Sequence, residues 1–150
     1  MAQSSADLIT LRQQIRVISL ALIQDGDRLF VGEGFDAVKQ DFFYRALGGG
    51  VEFGETSLEG LQREFREELN AELSNLYYLG CLENLFVFNG KPGHELIQLY
   101  RADFADRQFY QADSLIGKET NGTFKALWVA IDRFKSGQLR LVPEAFLTFL

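Results

Sequence analysis

Cysteine, histidine, methionine and tryptophan are rare in this chain. Its 150 residues include one cysteine, one histidine, one methionine and one tryptophan. A lone Cys81 cannot form an intrachain disulfide or build a zinc site of several thiolates, so we expect it to be a small buried side chain in a strand. The only histidine, His94, follows a predicted hairpin turn, where it either contacts a substrate or has a structural role.

Positive charge is also scarce, because 15 Lys and Arg stand against 21 Asp and Glu, a net charge of −6. Binding to DNA or RNA rests on many basic contacts to phosphate, so we expect no nucleic-acid polymer as partner. A small phosphorylated substrate stays compatible if metal ions supply positive charge. No stretch approaches the ~18 apolar residues that cross a bilayer, and Met1 to Leu11 lack the pattern of a secretory signal. We therefore expect a cytoplasmic protein without a membrane partner.

The length and the 47% hydrophobic content suit one compact domain over residues 1–150. Apolar and β-rich segments separated by turn residues predict the strands Ile15 to Gln24, Arg28 to Val31, Phe42 to Leu47, Leu76 to Phe88, Glu95 to Phe104 and Phe124 to Ile131. Asp132 is predicted to cap a short helix that ends near Gly137, and Pro143 to open a terminal helix over Glu144 to Leu150. Asp106 to Gly122 is predicted to be a polar loop, either bordering a substrate cleft or merely a surface excursion.

Glutamate is concentrated in one segment. Seven Glu and only two Arg lie between Glu52 and Glu72. Glu64, Glu67 and Glu68 stand at i, i+3 and i+4, so a helix would project them from one flank, close enough to repel one another. A divalent cation with oxygen ligands would relieve that repulsion.

The helix that carries these glutamates has clear boundaries in the sequence. Thr56 and Glu59 fit the N-cap and N3 positions of a capping box. Asn70 falls where the helix should end, and Asn tolerates the left-handed conformation of a C-cap. An apolar stripe of the helix is formed by Leu58, Leu61, Phe65 and Leu69. Before it, Gly48-Gly49-Gly50 predicts a sharp bend or a close approach of the backbone.

These residues together resemble the signature of a known family. Gly49, five residues, Glu55, seven residues and the run REFREELNA from Arg63 to Ala71 are similar to the Nudix box, G-x5-E-x7-R-E-U-x-E-E-x-G-U with U apolar. One fixed position departs from the pattern, because Asn70 replaces the final Gly.

The resemblance implies an α/β (α+β) fold, an α/β/α sandwich around a mixed, partly antiparallel sheet. It also implies hydrolysis of the phosphoanhydride in a nucleoside diphosphate linked to another moiety, with Mg²⁺ or Mn²⁺ as cofactor. On this chain, Glu67 and Glu68 would be the principal metal ligands. Glu64 would be a further ligand or the base that activates water, and Gly48 would offer its carbonyl to the metal.

The remaining site residues follow from the same resemblance and from their positions. Arg63 would orient the glutamates, while Glu55, with Gly49, would brace the loop against the helix. Glu119 is either an extra carboxylate for metal or water, or a solvated side chain. Arg45 either meets a substrate phosphate or forms an ordinary surface ion pair.

The aromatic residues leave several alternatives open. One of Phe42, Phe43 and Tyr44 could stack on a base, but strand alternation favours the core for at least two of them. A second group is predicted to belong to the core or to a homodimer surface: Tyr77, Tyr78, Phe86 and Phe88.

Two other functional classes stay open beside the hydrolase. The chain could be a nucleotide-binding sensor without catalysis, or an interaction module whose acidic helix is only a solvated face.

Overall fold

The structure, a computed structural model, describes residues 13–150 and has the mixed α+β class that the sequence predicts. The prediction for Met1 to Leu11 falls outside the described residues. The strands are β1 (Arg16–Leu22), β2 (Gln24–Asp25), β3 (Arg28–Asp36), β4 (Asp41–Arg45), β5 (Leu47–Gly50), β6 (Leu73–Phe88), β7 (Lys91–Phe104), β8 (Ser114–Glu119) and β9 (Gly122–Ala130). The helices are α1 (Ser57–Leu69), α2 (Ile131–Lys135) and two 3-10 helices, Arg107–Tyr110 and Glu144–Phe149. None of the helices within residues 13–150 has the length and apolar character needed to span a membrane.

The strands form two sheets. The first has the order β5-β1-β7-β6, with β1 and β7 parallel and the other two pairs antiparallel. The second has the order β2-β3-β9-β8, with β4 also paired to β3, and is antiparallel throughout. Strand β5 is followed directly by the segment that leads into α1, which places the glycine-rich turn beside the first turn of that helix.

Alternating side chains of the strands supply two hydrophobic clusters, one on each face. Ile18 and Leu20 of β1 belong to the cluster that includes Phe134 and Phe146 of the C-terminal helices. Side chains alternate along a strand, so Ala21 of β1 faces the other side, and it belongs to the second cluster, which α1 covers. Helices therefore lie on both sides of the strands, as an α/β/α arrangement requires.

Helix α1 begins and ends where the sequence predicts. The Thr56 side chain accepts a 3.1 Å hydrogen bond from the backbone N–H of Glu59. Asn70 has φ 51° and ψ 42°, the left-handed C-cap conformation. The apolar stripe is only partly correct, because Leu61 is fully buried whereas Leu58 is exposed.

Several predictions about the strands are wrong. Cys81 is exposed rather than buried, because β6 is an edge strand and Cys81 faces away from the core. Of the three aromatic residues before the glycine turn only Tyr44 is buried; Phe42 is 51% exposed and Phe43 is half-buried. Tyr77 and Tyr78 of β6 are also exposed, which rules out the core alternative for both.

The region 106–122 is not a loop, since it contains a 3-10 helix and strand β8, which pairs with β9. The predicted cap of α2 is also wrong: Asp132 lies in the first turn, and the N-cap, Ala130, makes no side-chain hydrogen bond. The terminal helix exists but is 3-10 rather than α. Both C-terminal helices are short, so few local signals define their limits.

Candidate active site

The start of α1 is tied to the first sheet by hydroxyl groups. The buried Ser19 of β1 donates from Oγ to the backbone oxygen of Ser57 at 2.8 Å. The Ser57 Oγ in turn lies 2.6 Å from the hydroxyl of Tyr100 on β7. These bonds set the position of the acidic flank of α1 relative to the sheet.

The glycine turn brings backbone and carboxylate together. Gly48 has φ 150°, and a Cβ there would lie 1.9 Å from the backbone oxygen of Ser19. A Cβ on Gly49 would lie 2.4 Å from the carboxyl carbon of Glu64. Glycine at 49 therefore lets the Glu64 carboxylate pack directly against the backbone of β5, as the predicted close approach requires.

Arg63 connects the loop to the glutamates. Its Nε and Nη2 donate to Glu55 at 3.0 and 2.7 Å, and Nη2 also donates to the backbone oxygen of Gly50 at 2.9 Å. Its Nη1 donates to Glu64 Oε1 and Glu67 Oε2, both at 3.1 Å. The guanidinium group thus bonds to the loop and to two of the glutamates, and its role in orienting them stays a prediction.

Glu55 is the anchor of this arrangement. The hydrogen bonds from Arg63, and then the 2.8 Å bond from the backbone N–H of Glu52, lower the pKa of Glu55 to about 2. Its partner responds in the opposite direction, since the bonds to Glu55 raise the pKa of Arg63. Both groups therefore stay charged at any physiological pH, so a change of pH in that range does not remove the ion pair between loop and helix.

The Glu68 carboxyl group lies close to several other acidic side chains, which change its pKa. Burial, a hydrogen bond with Glu64, and the charges of Glu64, Glu119 and Glu67 raise the pKa of Glu68 to about 9. The carboxylate of Glu119, at the end of β8, therefore belongs to the same electrostatic cluster as the helix glutamates. At neutral pH Glu68 is therefore protonated in the metal-free protein, and a cation beside the cluster would favour its charged form.

The donors suit Mg²⁺ or Mn²⁺, because carboxylate oxygens and a backbone carbonyl are the hard ligands these ions prefer. No three Asp, Glu, His or Cys side chains within residues 13–150 already converge into a metal-binding group. Glu64 and Glu67 are held by Arg63, and the Glu67 side chain is 59% exposed. We therefore expect the glutamates, Glu67 first, to reorient when a cation binds.

Replacing Glu68 by Gln should stabilise the metal-free protein at neutral and alkaline pH. The folded-state pKa near 9 lies above the usual 4.5, so the wild type loses stability as pH rises through that window. The amide carries no charge and escapes this loss. We expect the melting temperature of Glu68→Gln in EDTA to exceed that of the wild type by about 3 to 6 °C at pH 8 and to match it at pH 4.5. Equal melting temperatures at pH 8 would contradict the crowding of carboxylates.

A cleft of about 540 Å³ opens beside the acidic cluster. Its lining includes Gly48, Gly49, Glu68 and Glu119, so the structure brings these predicted residues to one cavity. Arg45 also lines the cleft, and its Nη2 donates to Glu95 Oε1 at 2.5 Å.

His94 is not among the residues that line this cleft; it lies on β7 opposite Leu85 in the β6–β7 hairpin. The roles predicted for Gly48, Gly49, Glu68 and Glu119, and for Arg45 and His94, stay predictions.

Sequence analysis missed Glu95, which is 3% exposed and lines the same cleft. A signal was present, because Glu95 shares its strand parity with the fully buried Ile97 and Leu99. A charged residue on the inward face of a strand usually has a partner or a function.

Comparison with known proteins agrees with this geometry. A family model, the NUDIX domain, matches residues 13–147. The fold is similar to a NUDIX hydrolase from Nitrosomonas europaea, with a TM-score of 0.62 and 19% identity over 91% of this chain and 86% of that chain. It is also similar to the MutT NUDIX hydrolase from Burkholderia pseudomallei, with a TM-score of 0.59 and 22% identity over 80% of this chain and 86% of that one.

A mutator MutT protein from Bacillus halodurans has a TM-score of 0.57 and 18% identity, over 90% of this chain and 80% of that chain. A search of curated proteins found no match. At these identities the solved structures show a shared fold, while the family model matches nearly the whole chain and includes the segment that resembles the Nudix box. The chain therefore belongs to the NUDIX family.

Proposed function

We propose that this protein hydrolyses a phosphoanhydride bond in a nucleoside diphosphate linked to another moiety, with Mg²⁺ or Mn²⁺ as cofactor. The observation that carries the proposal is the crowding of Glu64, Glu67 and Glu119 around Glu68, beside a glycine turn and an open cleft, which raises the pKa of Glu68 to about 9. Such a shift destabilises the protein on its own and is typical of a site built for a cation.

The residues of this site would have different roles in the reaction. Glu67 and Glu68 would hold the cation, with the carbonyl of Gly48 as a further ligand. A bound cation supplies positive charge that screens the phosphate oxygens and acidifies the attacking water. In the metal-free protein Arg63 holds Glu64 and Glu67 through its two 3.1 Å hydrogen bonds, and these glutamates would turn toward the cation when it binds.

In the reaction, the oxygen of water forms a bond to one phosphorus while the bond from that phosphorus to the bridging oxygen breaks. Glu64, which packs against Gly49, would either accept the proton that the water loses or be a further ligand of the cation. Glu119 would assist as a further carboxylate, and Arg45 would meet a substrate phosphate at the edge of the cleft. His94 does not line this cleft, and its contact with a substrate stays a prediction.

We also propose that residues 1–150 form one domain, that the protein is cytoplasmic and that it forms a homodimer. Exposed aromatic residues on β6, Tyr77 and Tyr78 among them, are compatible with a surface between subunits.

A screen of nucleotides tests the proposed function. Nucleoside di- and triphosphates, nucleotide sugars and dinucleotides are incubated with the protein in Mg²⁺, in Mn²⁺ and in EDTA, with phosphate release as the readout after phosphatase coupling. We expect turnover of at least one nucleoside diphosphate derivative with metal and none in EDTA. Tight nucleotide binding without product in either metal would instead identify a sensor.

A further inference from the structure

Two hairpin turns meet beside the cleft, although their strands belong to different sheets. Residues 37–40 connect β3 to β4 in the second sheet, and residues 89–90 connect β6 to β7 in the first. Phe35 of β3 and Phe88 of β6, close to these turns, both line the cleft. Among the described strands neither β3 nor β4 pairs with β6 or β7, so contacts other than strand pairing must hold the two turns together.

Asp36, the last residue of β3, bonds to both turns. Its Oδ1 accepts hydrogen bonds from the backbone N–H groups of Val38 at 3.0 Å and Lys39 at 2.9 Å, in its own turn. Its Oδ2 accepts a 3.2 Å bond from the backbone N–H of Asn89, in the other turn. Asp36 is only 2% exposed. A buried carboxylate depends on such donors, so the loss of one of them is costly.

Asn89 makes the reciprocal bond. Its Oδ1 accepts a 2.8 Å hydrogen bond from the backbone N–H of Ala37. The backbone of Asn89 is left-handed, with φ 51°, a conformation that Asn tolerates well. Nearby, Lys39 Nζ donates to the backbone oxygen of Val87 at 3.1 Å. The two sheets are thus joined at their hairpin turns, and we call the reciprocal bonds of Asp36 and Asn89 the clasp.

The clasp is attached on both sides to a wall of the cleft. Phe43 of β4 and Phe88 of β6 line the cleft, and their rings meet edge to face with centroids 5.6 Å apart. Phe88 directly precedes Asn89 in the chain. On β4, Phe43 lies between the first turn and Arg45, whose ion pair with Glu95 joins the two sheets again. The contact between the two rings therefore lies between two connections of the sheets.

We propose that Asp36 and Asn89 are positioning residues, which open and close as one unit and set the separation of Phe43 and Phe88 in the cleft. A ligand that binds the closed form loses affinity when that form is less populated. The proposal rests on the proposed function for the identity of that ligand. The simpler alternative is that each side chain stabilises only the turn to which it bonds.

Two substitutions each break one of the reciprocal bonds. In Asp36→Asn the side-chain oxygen can still accept the two N–H groups of its own turn, but the NH2 group that replaces Oδ2 cannot accept from Asn89. Asn89→Gly keeps the left-handed conformation and removes the acceptor of the Ala37 N–H. The matched control is Asn75→Gly, because Asn75 lies on β6 with φ 52° and bonds to Asp103 instead.

Amide hydrogen exchange, measured by NMR for each residue, tests whether the two turns open together. The informative amides are those whose own acceptor the substitution leaves in place. They are Ala37 in Asp36→Asn, and Val38 and Lys39 in Asn89→Gly. We expect exchange at these amides to accelerate at least about tenfold, and the control variant to leave it unchanged.

The same spectra test the effect on the wall of the cleft. In the wild type the rings of Phe43 and Phe88 are close enough for nuclear Overhauser contacts. Both clasp variants should weaken these contacts, and the control should keep them.

Steady-state kinetics in saturating Mg²⁺, with the substrate found in the screen, test the effect on the reaction. Asp36→Asn and Asn89→Gly should each raise KM at least about fivefold and leave kcat within about twofold, because neither touches the glutamates. The double variant should raise KM by no more than about twofold beyond the larger single effect, since either substitution alone already opens the clasp.

Faster exchange only at amides bonded to the replaced side chain would overturn the proposal. Unchanged contacts between the two rings, an unchanged KM, or effects on KM that multiply in the double variant would do the same. If Asp36→Asn does not fold, Asn89→Gly decides by the same measurements, because Gly suits its left-handed position. Coupled opening in a protein that hydrolyses no nucleotide would reject the hydrolase and keep the clasp.

Discussion

Glu67→Gln and Glu68→Gln should each fold like the wild type and lose about a thousandfold or more in kcat/KM. Each substitution keeps the size of the side chain and removes one negative charge from the set proposed to hold the cation. That cation is proposed to screen the phosphate oxygens. The loss of one of its ligands should therefore reduce stabilisation of the transition state more than it reduces the affinity for substrate. The measurement is steady-state kinetics in saturating Mg²⁺ with the substrate found in the screen.

Glu72→Gln is the matched control for these variants. Glu72 lies just beyond α1, is exposed, and bonds to Arg66 at 2.7 Å instead of joining the acidic cluster. Its replacement should leave kcat/KM within about twofold of the wild type. If Glu67→Gln and Glu68→Gln both turned over at nearly the wild-type rate, the assignment of the site would be wrong.

Arg63→Ala should lower the free energy of unfolding by about 3 kcal/mol and the melting temperature by about 6 to 12 °C. The side chain is only 21% exposed and bonds to Glu55, Glu64 and Glu67, so its removal leaves three carboxylates without their shared partner. Arg63→Lys should recover little, because an ammonium cannot reproduce the planar fork.

Arg66→Ala provides the comparison for Arg63 on the same helix. Arg66 is 53% exposed, and its ion-pair partner within residues 13–150 is the exposed Glu72. Such an exposed pair is screened by solvent, so the free energy of unfolding should hardly change. Thermal and urea unfolding of both variants measure the difference. Equal losses from Arg63→Ala and Arg66→Ala would mean that the network around Glu55 has no special role.

The parts of the fold that the sequence predicts well are those fixed by neighbours along the chain. Thr56 caps α1 and Asn70 ends it because capping depends on residues only a few positions away. The glutamates of α1 share a flank for the same reason, since helical spacing alone brings Glu64 and Glu68 together.

The parts that were missed depend on pairing over long distances. Glu119 was expected in a loop, but its strand exists only because β9 supplies hydrogen bonds to β8. Cys81 was expected inside, and its exposure follows from the position of β6 at the edge of a sheet. Neither the strand around Glu119 nor the exposure of Cys81 can be read from the neighbouring residues in sequence. Which face of a strand is buried depends on the elements that pack against it.

Glu95 shows the same limit at the edge of the cleft. The period of β7 marks it as inward, yet its partners Asn84 and Arg45 come from β6 and β4. Only the assembly of both sheets reveals that this acidic side chain lines the cleft.

Calorimetric titration of Mn²⁺ into the metal-free protein, paired with melting curves, tests the central claim that the carboxylates bind a divalent cation. The wild type should bind saturably and gain about 5 °C or more at saturating metal, since a ligand of the folded state alone must stabilise it. A double replacement of Glu67 and Glu68 by Gln should abolish both the heat and the gain. Absence of binding to the wild type, or equal binding to the double variant, would contradict the account.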